Sequence, residues 1–292
     1  MASLLQDAGL PAGVLNVVTT TQPGPVVRAL LTDRRTRMLS FTGSTEVGRL
    51  LLRTAADNVL KCAMELGGNA PFLVLADADL DAALDGAMIA KMRNGGQACT
   101  AANRFFVQAG VHDAFVDGLA ARMAAIAIGP GADERHQCGP LINAEAVHKV
   151  DTLVRDAIDR GARAVLGGRQ VDGPGYFYPP TVLIDVPRDA RILREEVFGP
   201  VAPVVRFELE DEALAMANDT PFGLVSYLYT TDLARGLRLA EGLQSGMVGL
   251  NRGLVSDPAA PFGGSKQSGL GREGSTEGLL EFLETQYIAT SW

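Results

Sequence analysis

Short β-rich runs alternate with amphipathic helical runs along almost the whole chain, and this alternation constrains the fold more than any other feature. Residues 13–18 (GVLNVV) read as a strand and 25–33 (PVVRALLTD) as a helix. Residues 37–41 (RMLSF) read as a strand that leads at once into a Gly/Ser/Thr turn opening a helix, TGSTEVGRLLLRTAA. Residues 61–66, 71–76 and 104–108 are further strand candidates, and 79–92, 111–126 and 144–160 are expected helices. Residues 203–207, 225–230 and 247–251 continue the strand series. Strands separated by helices of this length imply parallel sheets in an α/β architecture. Strand-like residues flank Gly67-Gly68, which marks the expected domain boundary.

The 292 residues suffice for one large domain or two ordinary ones. With 47% hydrophobic and 21% charged residues, a sizeable core can form. The net charge of −8, without any Lys/Arg-rich block, excludes an electrostatic footprint for nucleic acid. No run reaches the roughly 18 apolar residues of a membrane span. The first residues, MASLLQDAGLPAGVLNVV, lack the basic n-region of a signal peptide. Three cysteines, Cys62, Cys99 and Cys138, are odd in number and widely spaced, which argues against a disulfide framework. No Cys-x-x-Cys pair suggests zinc, so no metal is expected, and a reducing cytoplasm is the simplest compartment.

Three constellations could carry chemistry. In Phe41-Thr42-Gly43-Ser44-Thr45-Glu46-Val47-Gly48, a strand ends in Gly-Ser-Thr at a helix start. Free backbone N–H groups and the positive helix end then suit an anion, although ordinary Ser/Thr capping explains the same residues. In Asn94-Gly95-Gly96-Gln97-Ala98-Cys99, glycines permit close approach to a thiol and leave N–H groups to face an oxyanion. A buried structural cysteine is the other reading, and it is preferred for Cys62 in its apolar run. Cys138, in the polar loop RHQCGP, could be exposed. In Glu65-Leu66-Gly67-Gly68, a glutamate at a strand end could project into a cleft or simply be solvated.

Taken together, in this order and with 34 positions between Glu65 and Cys99, the three resemble the aldehyde dehydrogenase superfamily. Glu195-Glu196-Val197-Phe198-Gly199-Pro200 resembles that family's Glu-x-Phe-Gly-Pro. Pro261-Phe262-Gly263-Gly264-Ser265-Lys266-Gln267-Ser268-Gly269 resembles its C-terminal Pro-Phe-Gly-Gly-x-Lys-x-Ser-Gly. Within the superfamily the chain is most similar to the succinate-semialdehyde dehydrogenases. The stretches that carry this are Met92-Arg93-Asn94, Ala102-Asn103-Arg104, Gly246–Asn251 and the run Ser265–Gly274.

The resemblance implies an aldehyde dehydrogenase-like α/β fold. Residues 1–67 would be the C-terminal part of a Rossmann-type cofactor domain, and 68–260 the catalytic domain. Residues 261–292 would return to the cofactor domain and end in an oligomerisation strand. It also implies NAD or NADP as cofactor, a small-molecule aldehyde as substrate and a homo-oligomer. Cys99 would attack the aldehyde, hydride would leave to the nicotinamide, and Glu65 would activate water against the thioacyl-enzyme. Thr42, Gly43, Ser44 and Leu66 would lie along the cofactor, Glu196 would bind its ribose, and Phe198 would pack near its ring. Arg93 would hold the far carboxylate of a semialdehyde, assisted by Ser256. Glu65 favours a free acid over an acyl-CoA product. The family implies a longer protein, whose N-terminal part supplies a Pro-Trp-Asn segment and adenosine-ribose contacts. The alternative for so short a chain is a non-catalytic member acting only in subunit association. A second cysteine two positions after the nucleophile is replaced here by Ala101, so no disulfide is expected at Cys99.

Overall fold

The computed structural model describes residues 1–171 and 173–292. Its first half runs α1 (Ala2–Asp7), α2 (Pro23–Thr32), β1 (Met38–Thr42), α3 (Thr45–Ala56), β2 (Lys61–Glu65), β3 (Ala70–Val74), α4 (Leu80–Met92), β4 (Ala102–Gln108), α5 (His112–Ala124) and α6 (Ala144–Asp159). Then follow β5 (Arg163–Leu166), β6 (Thr181–Ile184), β7 (Val201–Phe207), α7 (Glu210–Asn218), β8 (Phe222–Gly223), β9 (Val225–Tyr229), α8 (Leu233–Gly242), β10 (Met247–Leu250), β11 (Ser265–Lys266), β12 (Gly269–Leu270) and α9 (Ser275–Glu281). Side-chain caps begin several helices: Ser44, Asp79, Asn143 and Asp232 each accept a backbone N–H three residues on.

The main sheet has seven strands in the order β10-β9-β3-β4-β7-β6-β5, all parallel except the β5 edge. Helices cover both faces, which is why β3 (APFLV) is buried at every position rather than alternating. Phe72, Val74, Phe105 and Val107 pack with α4 and α5, while Leu73, Phe106, Val205 and Phe207 pack with α6, α7 and α8. Phe72 anchors the first layer, with its ring centroid 5.1 Å from Phe105, 5.8 Å from Tyr227 and 5.0 Å from Tyr229.

A smaller sheet, β1-β2-β12, pairs β1 and β2 in parallel across α3, with β12 antiparallel to β2. The chain passes from one sheet to the other over residues 66–69. Ser268, just before β12, holds this crossing: its carbonyl accepts from Leu66 N–H at 2.8 Å, and its hydroxyl donates to Gly67 O at 2.7 Å. Arg104 holds it from the other side. Only 1% exposed, its guanidinium donates to the carbonyls of Asn69, Met216 and Ala217, each at 2.9 Å.

The structure departs from the sequence expectations in several places. Residues 13–18 form no strand but are turn and coil, and every one is exposed. β-branched composition favours a strand only where a neighbouring strand supplies its hydrogen bonds, and here none does among the described residues. Residues 283–292, expected to end in a strand that pairs with another subunit, are coil and exposed in the single chain, which does not test that pairing. The two lesser cysteines exchange places: Cys138 is buried and Cys62 half-exposed. β2 lies in a three-stranded sheet with only part of its surface covered, whereas the Cys138 loop packs beneath residue Gly95.

Arg104→Met is expected to lower the unfolding free energy by about 3–5 kcal/mol, because three buried carbonyls lose their donor. Chemical denaturation followed by circular dichroism measures this; a loss below about 1 kcal/mol would show that water replaces the guanidinium.

Candidate active site

All ten residues singled out in the sequence line one cavity of about 630 Å³. They come from five separate stretches of chain. Thr42, Gly43 and Ser44 end β1 and begin α3; Glu65 and Leu66 end β2. Because Thr42 pairs with Glu65 and Gly43 N–H donates to Glu65 O at 3.0 Å, the first and third motifs are neighbours by strand register. Both sit at the carboxyl ends of parallel strands, where α/β sheets bind ligands. Arg93 and Cys99 lie on the α4–β4 loop, Glu196 and Phe198 precede β7, and Ser256 follows β10.

The Cys99 loop depends on its glycines. Asn94, Gly95 and Gly96 have φ of +54°, +62° and +76°, three successive left-handed residues. A side chain on Gly96 would also run into Gly199 O. Gln97 ties the loop outward, its Oε1 accepting from Ile142 N–H at 2.9 Å. Gly68 backs the other side, where an added Cβ would collide with the Cys99 carbonyl. The Glu-Leu-Gly-Gly motif is thus both the end of a strand and the seat of the cysteine segment.

Three acidic groups share the cavity. Glu65 is only 4% exposed, and its Oε2 has no hydrogen-bond partner. Burial pushes its pKa up to about 8, with Glu273 reinforcing and Arg272 opposing the shift. The Cys99 thiol is also pushed up, first by burial and then by the Glu196 and Glu65 carboxylates; the N–H groups of Cys99 and Thr100 pull the other way. Burial raises Glu196 as well, against the Gly68 N–H on its Oε1 at 2.9 Å and the charges of Lys149 and Lys91.

Several contributors escaped the sequence reading. Lys91 is fully buried, donating to Asn103 Oδ1 at 2.9 Å and Gly199 O at 3.1 Å, with its pKa lowered by burial to about 7. It joins the α4 end, the start of β4 and the Glu-x-Phe-Gly-Pro stretch. Its signal was available: a lysine four and seven residues after Ala87 and Leu84 lies on the buried face of α4. Lys149 and Phe262 also line the cavity, with no local motif to mark them. Thr100 follows the cysteine, and its hydroxyl accepts from Arg93 Nη2 at 2.8 Å. Arg93 itself is exposed at the cavity mouth and forms no ion pair among the described residues. No group of three or more His, Cys, Asp or Glu placed to hold a metal occurs among those residues, and no helix is long and apolar enough to cross a membrane.

Residues 1–288 match the aldehyde dehydrogenase family. The chain is 56% identical over 287 residues to the succinate-semialdehyde dehydrogenase of Paenarthrobacter nicotinovorans, covering 98% of this chain and 64% of that protein. It is 52% identical over 288 residues to the glutarate-semialdehyde dehydrogenase of Pseudomonas aeruginosa, covering 99% of this chain and 59% of that one. The crystal structure of an NADP-dependent enzyme of E. coli superimposes with a TM-score of 0.96 at 49% identity, over 98% of this chain and 60% of that chain. The chain therefore spans about three fifths of the length of the relatives it matches. With its ordered motifs converging on one cavity at the strand ends, the chain belongs to the aldehyde dehydrogenase family.

Proposed function

We propose that the protein oxidises a carboxylate-bearing aldehyde, succinate semialdehyde foremost, to the acid with NAD or NADP. The observation that carries this reading is the shared cavity of a thiol, an unpaired buried carboxylate and an arginine free of any ion pair among the described residues. Cys99 attacks the carbonyl carbon, and its own backbone N–H, which acts on the sulfur, would be a donor for the developing oxyanion. The bound nicotinamide would take the hydride. Glu65 then draws a proton from water, which attacks the thioacyl carbon and releases the acid and the Cys99 thiolate.

The residues at the cofactor side fit such a group. Gly67 leaves open a space that a Cβ would fill 3.0 Å from Glu196 Oε2 and 3.1 Å from Thr45 Oγ1. Glu196 keeps Oε2 available for ribose hydroxyls while Oε1 is held by Gly68. The first N–H groups of α3 have no partner within the helix and suit a pyrophosphate beside Gly43 and Ser44. Phe198, held at φ +56°, lines the same wall.

The relatives named for succinate and glutarate semialdehydes act, by those names, on aldehydes with a distant carboxylate. Arg93 is the group here that would receive it. A charge-assisted pair of this kind is worth about 1.5–3 kcal/mol, roughly a 10–200-fold preference over an uncharged aldehyde of equal length. Arg93→Ala should remove that preference by raising KM for succinate semialdehyde, with butanal little affected. Equal losses in kcat/KM on both substrates would assign Arg93 to the loop instead.

Cys99→Ser should abolish turnover while Cys62→Ser retains it; near-normal rates in Cys99→Ser would reject the nucleophile. Glu65→Gln should preserve a burst of reduced cofactor and slow the steady state by about 10²–10⁴-fold. Glu65 works as the carboxylate, and its pKa is held up at about 8. Deacylation-limited turnover should therefore fall as pH drops below that value, by about tenfold per unit, and level off above it. A steady state independent of pH between 6 and 8 would remove Glu65 from the rate-limiting step.

A further inference from the structure

The structure assigns a specificity role to Thr100: we propose that its hydroxyl clamps the Arg93 guanidinium at a set distance from the Cys99 sulfur and so fixes the length of aldehyde accepted. This rests on the reading of Arg93 as the carboxylate-binding residue. Arg93 directly follows α4, and its side chain reaches across the loop to donate from Nη2 to Thr100 Oγ1 at 2.8 Å. No other hydrogen bond fastens that guanidinium among the described residues, so most of its N–H donors remain for a ligand.

Thr100 is a firm anchor. It is 3% exposed, and its carbonyl accepts from Tyr227 Oη at 2.8 Å. Tyr227 is itself locked in the aromatic layer against Phe72. The link therefore runs from the sheet core, through the Thr100 backbone and hydroxyl, to a cation at the cavity mouth. Thr100 follows Cys99 directly, so their Cα atoms are about 3.8 Å apart. One peptide unit and one hydrogen bond thus separate the nucleophile from the guanidinium. A free arginine would sample many rotamers and meet carboxylates at several distances; the clamped one presents its fork at one set distance. The clamped distance is taken to match the four-carbon semialdehyde of the proposed function, so that a five-carbon one is disfavoured.

The test is kcat/KM for succinate semialdehyde, glutarate semialdehyde and butanal in wild type, Thr100→Val and Thr100→Ser. Valine keeps the shape and removes the acceptor; serine restores it. Wild type should favour the four-carbon semialdehyde. Thr100→Val should raise KM for succinate semialdehyde by about 3–10-fold, the worth of one such hydrogen bond. It should leave kcat, glutarate semialdehyde and butanal within about twofold, so that the length preference shrinks. Thr100→Ser should recover it. A second readout is independent of turnover: succinate should protect Cys99 from iodoacetamide, and Thr100→Val should weaken that protection by the same factor. A wild type that handles four- and five-carbon semialdehydes equally overturns the length rule. An unchanged preference in Thr100→Val overturns the clamp while leaving Arg93 in place. Parallel losses on all three aldehydes also overturn it and place Thr100 in support of the cysteine loop. A wild type with no preference for charged aldehydes over butanal removes Arg93 from substrate binding, and the clamp with it.

Discussion

The site depends on how closely Gly67 and Gly68 let the crossing between the sheets approach the nucleophile segment. Gly68 lies so near the Cys99 carbonyl that a Cβ would collide with it, while its N–H holds the Glu196 carboxylate. Gly67 donates to Thr45 Oγ1 at 3.1 Å and accepts from the Ser268 hydroxyl. Four stretches of chain are thereby fastened at one point: the start of α3, the cysteine loop, the Glu-x-Phe-Gly-Pro segment and the C-terminal return. Arg104 secures the far end of the same crossing through Asn69 O. Movement of this crossing would separate Glu65, Cys99 and Glu196 together.

Electrostatics within the cavity follow from that crowding. The buried Glu65 carboxylate lies near the half-buried Glu196 carboxylate and Cys99 thiol, and all three are biased toward their neutral, protonated forms. Lys91 is the buried counter-charge, and its own ammonium is disfavoured by the same loss of water. Burial works against charge on all four groups and so disfavours a permanent ion pair among them. That is a costly arrangement for folding, and perturbed groups gathered in one cavity mark it as a candidate functional site.

Much of this was legible in the chain. Strand β3 announced itself as a continuous apolar run, and the strand-to-helix turn at Thr42–Ser44 by its Gly-Ser-Thr punctuation. Those are local signals, set by side-chain volume, branching and capping chemistry within a few residues. Residues 13–18 misled for the same reason: β-branched composition speaks for a strand, but hydrogen bonds come from a partner that composition cannot supply. Cys62 and Cys138 misled because burial depends on what packs against a residue, not on the polarity of its neighbours in sequence.

The sequence by itself determined the alternation of elements and the ordered motifs, and through them it singled out Cys99 and Glu65 as the proposed reactive pair. These rest on short-range patterns that survive without coordinates. Only the tertiary structure decided that Lys91 lies beneath the cysteine loop and that Thr100 grips Arg93 from a residue anchored by Tyr227. It also decided that burial lifts the Glu65 carboxyl into a range useful to a base. Those properties arise from desolvation and from contacts between residues distant along the chain, and both come into being only when the sheets and loops close around the same small volume.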